Sequence, residues 1–270
     1  MMYQNLHTHS TYCDGKNSLE EMIVYAMEHG FDSIGFSGHS HMHFSPSASM
    51  TIAGTESYKS EVRELASKYA GRMKVYCGLE LELNSEVDLE GYDYIIGAYH
   101  YFKLGDDYVG FDRKAAEVQH VIDTRFGGDF LAYAKEYYAN IVKLGEIGVV
   151  DIVGHFDLLV KNCDALASLD CSLPAYRRYA LEAAEELSRT VGIFEVNTGA
   201  IARGYRRTPY PDPFIIKALK TFGSRLILSS DCHDKHNLAC GFEESIELIK
   251  SCGFKEIWRL EDGQFVPQPI

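Results

Sequence analysis

His7 and His9 stand one residue apart in the run His7-Thr-His-Ser10. Side chains of an extended segment alternate with period two, so an HxH pair puts both imidazoles on one side. Asp231-Cys-His233 repeats that spacing with a carboxylate and an imidazole. Other histidines follow short apolar runs: His39 after Ser33-Ile-Gly-Phe36, His100 after Tyr94-Ile-Ile-Gly-Ala98, and His155 after Asp151-Ile-Val-Gly154. Glu80 and Glu82 follow Val75-Tyr-Cys-Gly78. One histidine at a strand end is ordinarily a hydrogen-bonded residue. Five such ends carrying histidine, with an acidic residue at a sixth, point to coordination of a divalent metal. Imidazole with carboxylate suits zinc, manganese or iron. His29, His120 and His236 lie outside this pattern.

Other chemistries have less support. The chain holds no GxGxxG after a strand, no GxxxxGK[ST], no HExxH and no GxSxG. Ser37, in Phe36-Ser-Gly-His39, has no evident partner for nucleophilic work. Seven cysteines, an odd number with no CxxC pair, read as reduced thiols rather than a disulfide framework or a thiolate zinc site. Glu182, Glu185 and Glu186 read as a solvated helix face, and the aromatic run 133–138 as packing.

These residues need elements to hold them. Apolar runs predict strands at Tyr3–Leu6, Ser33–Phe36, Lys74–Cys77, Asp93–Gly97, Val150–Val153, Ile193–Val196 and Arg225–Leu228, with an eighth candidate at Lys255–Trp258. Helices are expected from the capping box Ser18-Leu-Glu-Glu21 to Gly30, and over Thr55–Ala70, Asp129–Leu144, Leu173–Thr190, Pro211–Phe222 and Glu243–Cys252. Repeated strand–helix units imply a parallel sheet. Seven or eight of them can close into a (β/α) barrel whose chemistry sits at the C-terminal strand ends. His100 to Gly128 is too long for an ordinary connection, and its Tyr101, Phe102, Tyr108, Phe111 and Phe126 favour a functional loop over a disordered one.

The 270 residues carry a net charge of −13, with 46% hydrophobic residues and no linker or repeat, so one globular domain over 1–270 is expected. That charge disfavours a sequence-independent grip on nucleic acid or anionic membrane. No apolar stretch of about 18 residues predicts a membrane span. The opening MMYQNLHTHS lacks a basic and an apolar region, so a cytoplasmic enzyme is expected. Nothing in the sequence singles out an oligomeric state.

The ordered series HTHS at 7–10, Gly38-His39, Gly78-Leu-Glu80, His100, Gly154-His155 and Ser-Asp-Cys-His at 230–233 resembles the polymerase-and-histidinol-phosphatase (PHP) superfamily. Within it, Asp151-Ile-Val-Gly-His-Phe-Asp-Leu-Leu159, Phe194-Glu-Val-Asn-Thr-Gly199 with Arg203, and Tyr-Pro-Asp-Pro at 210–213 resemble the stand-alone histidinol-phosphate phosphatase branch. The resemblance implies an α/β fold, a distorted (β/α)7 barrel with up to three metal ions at the C-terminal strand ends. It assigns His7, His9, Glu80 and Asp231 to a first metal, with Glu80 bridging to a second held by His100 and His155. Asp14, His39 and His233 hold a third, with His41 in reserve and His43 as packing. Asp14 stands where many members carry histidine, which shifts preference toward harder ions.

The reaction so implied is hydrolysis of L-histidinol phosphate, a small phosphomonoester, to L-histidinol and phosphate in histidine biosynthesis. A metal-bridging hydroxide attacks, and Asp231 or a neighbour such as His233 supplies the leaving-group proton. Arg203 is the expected phosphate clamp, with Arg206 and Arg207 behind it, because a guanidinium matches phosphate bidentately. Asp157 and Glu117 are candidates for the substrate's ammonium and imidazole. Two other readings use the same residues: a nuclease or nucleotide phosphoesterase, or a metal-binding regulatory subunit without turnover.

Overall fold

The computed structural model describes residues 3–270. Strand β1 (Tyr3–Asn5) leads through an irregular segment, 6–18, into helix α1 (Leu19–Glu28). The expected capping box is present: Ser18 Oγ accepts from the Glu21 N–H, and the Glu21 carboxylate accepts from the Ser18 N–H. Gly30, at φ 79°, turns the chain out of the helix in a conformation that glycine adopts without strain. There follow β2 (Phe31–Phe36), α2 (Ile52–Lys68), β3 (Lys74–Glu82) and β4 (Tyr94–Ala98). Helix α2 starts three residues before the sequence suggests. Thr51 caps it by accepting from the Gly54 N–H, and Gly54 inside the first turn masks the start.

The segment after His100 is ordered rather than a plain loop. It forms a hairpin, β5 (Tyr101–Leu104) and β6 (Asp107–Gly110), then helix α3 (Ala115–Arg125). Its aromatics make the core of this addition. Phe102 packs at 5.3 Å from Tyr133, and Phe111 at 5.1 Å from Tyr137, both on α4 (Phe130–Ile141). The expected helix to Leu144 tightens into a 3-10 turn at Val142–Glu146. Then come β7 (Ile152–Val153), α5 (Pro174–Thr190), β8 (Ile193–Asn197), the short α6 (Gly199–Ala202), α7 (Pro213–Phe222) and β9 (Arg225–Ser229). Helix α8 (Phe242–Ser251) leads to β10 (Glu256–Glu261) and β11 (Gln264–Pro269).

Seven strands form one parallel sheet in the order β1-β2-β3-β4-β7-β8-β9. The sheet closes at its C-terminal end: the His9 N–H donates to Cys232 O at 3.0 Å, and the Cys232 N–H to His7 O at 3.3 Å. This is the expected distorted (β/α)7 barrel. The eighth strand candidate does not join it. Glu256–Glu261 pairs antiparallel with Gln264–Pro269 as a separate hairpin, and Leu260 with Trp258 and Phe265 packs on the apolar cluster of Leu6, Tyr76, Tyr94 and Ile96.

Two tyrosines bind the strand backbones together. The Tyr58 hydroxyl shares its one proton between Phe36 O at 2.7 Å and Gly78 O at 2.8 Å. Tyr94 Oη donates to Leu6 O and, at 3.2 Å, to Phe36 O. The Tyr94 side chain fills the space that a Cβ at Gly35 or at Gly78 would need.

Candidate metal centre

The barrel closure brings the chemistry-bearing side chains to one place. His7 and His9 leave the end of β1, and His39 the end of β2. Glu80 and Glu82 end β3. His100, His155, and Asp231 with His233 follow β4, β7 and β9. Asp14 comes from the turn between His9 and α1. All nine expected metal ligands lie in this cluster.

Glu80, 1% exposed, is its centre. Its Oε2 lies 3.4 Å from His7 Nε2, 3.5 Å from His9 Nε2 and 2.6 Å from His39 Nδ1. Its Oε1 lies 2.8 Å from His155 Nε2 and 3.4 Å from His100 Nε2. Asp231 Oδ1 lies 3.2 Å from His9 Nε2 and 3.7 Å from His7 Nε2. Asp14 Oδ1 gathers a second face: His233 Nε2 at 3.2 Å, His39 Nε2 at 3.7 Å and His9 Nδ1 at 3.8 Å. Three groups are thus compact enough to hold an ion: His9, Asp14, His39 and His233; His7, Glu80 and His155; and His7, His9 and Asp231.

Whether these residues fit a metal can be tested on unmet hydrogen bonds. His7 Nε2 and His9 Nε2 are fully buried and lack a hydrogen-bond partner. Buried polar atoms are otherwise almost always paired. Four tetrahedral ligands at about 2.0–2.1 Å from zinc stand roughly 3.3 Å apart. The four distances from His7 Nε2 and His9 Nε2 to the Glu80 and Asp231 oxygens, 3.2 to 3.7 Å, are of that size. The donor set fits a divalent ion.

Burial opposes charge on every one of these groups, and the neighbours decide the outcome. Burial would lower His7, but Glu195, Glu80 and Asp231 raise it well above the ordinary value. His39 is raised against burial by Glu80 and Asp14. Glu80 and Asp231 are held well below the carboxylate range against burial, Glu80 by His39 and His7, Asp231 by Arg203 and His7. His9 goes the other way. Burial, with His233 and His39 beside it, pushes it down to about 3, so its lone pair stays free. The backbone of Asp231 is bent to φ 48°, uncommon outside glycine and of the kind that gathers at functional sites.

Above the cluster lies a cavity of about 230 Å³, walled by Leu158, Lys161, Arg203, Tyr205, Asp112 and His233. Of the expected substrate residues, Arg203 is here. Its Nη2 donates to Asp231 Oδ2 at 2.9 Å and its Nη1 to Asp231 O at 3.1 Å. The others are elsewhere. Asp157 and Arg206 are buried against each other at 3.3 Å, and Asp157 also accepts from the Asp212 N–H at 3.0 Å, so the pair braces the backbone after β7. Glu117 is exposed, its carboxylate turned back to its own helix start, where it accepts from the Lys114 N–H. Arg207 is exposed and lines no part of the cavity. His41 Nδ1 is taken by Met50 O at 3.0 Å, and His43 packs edge-on to Phe44 and Tyr108.

Sequence reasoning missed Lys161 and Asp112, which meet on the cavity wall at 2.5 Å. Lys161 lies six residues past His155, on the segment that carries Asp157, and that was the available signal. It also passed over the roles of Glu82 and Glu195. Each is a buried carboxylate inside an apolar strand, a placement with a high desolvation cost unless a partner is fixed.

Comparison with known proteins gives the family. The PHP domain matches residues 5–199, well over half of the chain. A histidinol-phosphatase of Bacillus subtilis is 23% identical over 271 residues, covering 92% of this chain and 99% of that one. A Schizosaccharomyces pombe protein named "Probable histidinol-phosphatase" is 24% identical over 297 residues, covering 95% and 89%. The crystal structure of histidinol phosphate phosphatase from Lactococcus lactis, complexed with zinc, L-histidinol and phosphate, superposes with a TM-score of 0.72 at 17% identity, covering 97% and 98%. With the seven-stranded barrel and the histidine–carboxylate cluster at its mouth, this match places the chain in the PHP domain family.

Proposed function

We propose that the chain, acting as one domain, is a divalent-metal-dependent phosphomonoesterase that hydrolyses L-histidinol phosphate to L-histidinol and phosphate. The observation that carries the reaction class is the buried His7 Nε2 and His9 Nε2, unpartnered beside Glu80 and Asp231, beneath a cavity that presents two cations. The substrate reading is supported by relatives named histidinol-phosphatase, which match over nearly their whole length.

His7, His9, Glu80 and Asp231 would hold one ion. Glu80, His100 and His155 would hold a second, and Asp14, His39 and His233 a third. Bound there, divalent ions supply Lewis-acid charge and water of lowered pKa. Arg203 is fixed at two points by Asp231, which orients its remaining N–H donors for a phosphoryl oxygen. Lys161, paired with Asp112 at 2.5 Å, adds an ammonium donor to the same wall. Both Asp231 oxygens are engaged, Oδ2 by Arg203 and Oδ1 beside His9, so Asp231 is an anchor and not a proton donor. His233 is engaged at both ring nitrogens as well, Nε2 beside Asp14 at 3.2 Å and Nδ1 at 3.1 Å from Asp231 O, so it is a ligand of the third ion rather than a proton donor. No helix among the described residues is long and apolar enough to cross a membrane.

The test is phosphate release from L-histidinol phosphate with manganese or zinc, beside a nucleotide and a short single-stranded DNA. A kcat/KM above about 10⁴ M⁻¹s⁻¹ for histidinol phosphate alone, an ordinary enzyme's efficiency, is the expected result. Turnover of DNA or nucleotide instead would keep the metal centre and replace the substrate.

A further inference from the structure

Two carboxylates sit behind the metal centre, and neither is among its ligands. Glu195, 0% exposed, lies on β8 and points into the barrel with Asn197. Its four acceptor positions are all used. Oε1 meets His7 Nδ1 at 2.6 Å and accepts from Ser229 Oγ. Oε2 accepts from the His155 backbone N–H at 2.8 Å and from Asn197 Nδ2 at 2.9 Å. Glu82 does a lighter version of the same work. Its Oε2 meets both the backbone N–H of His100, at 2.8 Å, and its ring Nδ1, at 2.9 Å, while Oε1 accepts from Asn84.

We infer that Glu195 is a positioning residue that selects the tautomer of His7, a role that rests on the metal-centre reading above. A carboxylate only accepts, so His7 Nδ1 carries a proton, and the neutral ring that binds an ion then presents its Nε2 lone pair to the cluster. An amide at position 195 could accept on one side only. Turned with its NH2 toward His155 and Asn197, it would face two donors. The backbone N–H cannot change role. Asn197 cannot flip either, because its Oδ1 already accepts from the Gly199 N–H at 2.8 Å. Turned the other way, its NH2 faces Ser229 and His7. Ser229 can rotate its hydroxyl, but His7 must then accept on Nδ1 and carry its proton on Nε2. That proton occupies the lone pair meant for the metal. Glutamine at 195 therefore protonates a ligand atom two bonds away without removing any ligand.

Glu82 lacks this constraint. Glutamine there can keep its oxygen on His100 and turn its NH2 toward Asn84. Asn84 is only half-buried and can yield to water. The two carboxylates look alike in composition and should differ sharply in substitution.

The experiment compares wild type, Glu195→Gln and Glu82→Gln by chelator competition for zinc and manganese, with folding monitored by circular dichroism. Glu195→Gln should weaken one ion by about 100-fold, the upper end for loss of such a partner, and Glu82→Gln by less than about 10-fold. Independently of either variant, nitrogen-15 spectra of histidine-labelled, metal-loaded wild type should show His7 with a proton on Nδ1 and none on Nε2. Equal affinity for Glu195→Gln and wild type would overturn the inference, as would His7 in the Nε2–H form. If Glu195→Gln does not fold, the wild-type spectrum alone decides. A wild type that binds no divalent ion would instead overturn the metal-centre reading.

Discussion

The two ends of the barrel are built from the same seven strands and have opposite chemistry. At the C-terminal ends lie five imidazoles within reach of Glu80, with buried nitrogens that no protein group satisfies. Toward the other end, Tyr94, Ile152 and Ile193, the first residues of β4, β7 and β8, pack in one apolar cluster with Leu6, Tyr76, Ile96 and Ile227, joined by Leu260 of the hairpin. The polar end gains nothing from unmet hydrogen bonds until a ligand arrives, since each buried unsatisfied group costs about 1–3 kcal/mol. The apolar end needs no ligand. Stability and chemistry are thus separated along one axis, which is the general arrangement for barrels of this kind.

Substitutions can break or sharpen that separation. The largest effect is expected at the polar end. Glu80→Ala removes a carboxylate within reach of five histidines. Metal content should drop, and kcat/KM should fall by about 10³-fold or more, close to 4 kcal/mol. Elemental analysis and turnover on the same sample check it, and near-normal turnover would remove Glu80 from the centre. Leu260→Ala acts at the other end. It should cost about 2–5 kcal/mol in denaturant unfolding and leave metal affinity unchanged. A parallel loss of metal affinity would show that the ends are coupled. Next, a divalent ion at about 100 times its Kd should raise stability by about 2.7 kcal/mol, and chelation should abolish the gain. Independent ends require the same gain in Leu260→Ala as in wild type. The smallest change is expected on the cavity wall. Arg203→Ala should raise KM for the phosphoester by about tenfold, roughly 1.4 kcal/mol, a larger change than any in metal content. An unchanged KM would take Arg203 off the substrate.

The strand alternation and the metal-type residues were legible in sequence for one physical reason. A parallel barrel writes each strand as a short apolar run and sends its functional residue out at the end, so His7, His39, Glu80, His100, His155 and Asp231 each carry a local mark. Residues whose role depends on a distant partner carry no such mark. Asp157 reads as a substrate contact until Arg206, 49 residues on, is seen to neutralise it. Lys161 reads as a surface lysine until Asp112 and the cavity are in place. The hairpin and helix after His100 were hidden because their core is borrowed from α4, through Phe102 on Tyr133 and Phe111 on Tyr137.

Tyr94 has a consequence for how such a sequence can diverge. Its ring takes the room of two absent side chains, at Gly35 on one strand and Gly78 on another. These three positions form a single unit of inheritance, although 59 residues separate the first from the last. A lineage that keeps the tyrosine is obliged to keep both glycines. One that shrinks it gains freedom at two sites at once and loses the hydroxyl that ties Leu6 to Phe36. Among relatives aligned on the histidine motifs, alanine at either glycine should therefore co-occur with a smaller residue at the tyrosine.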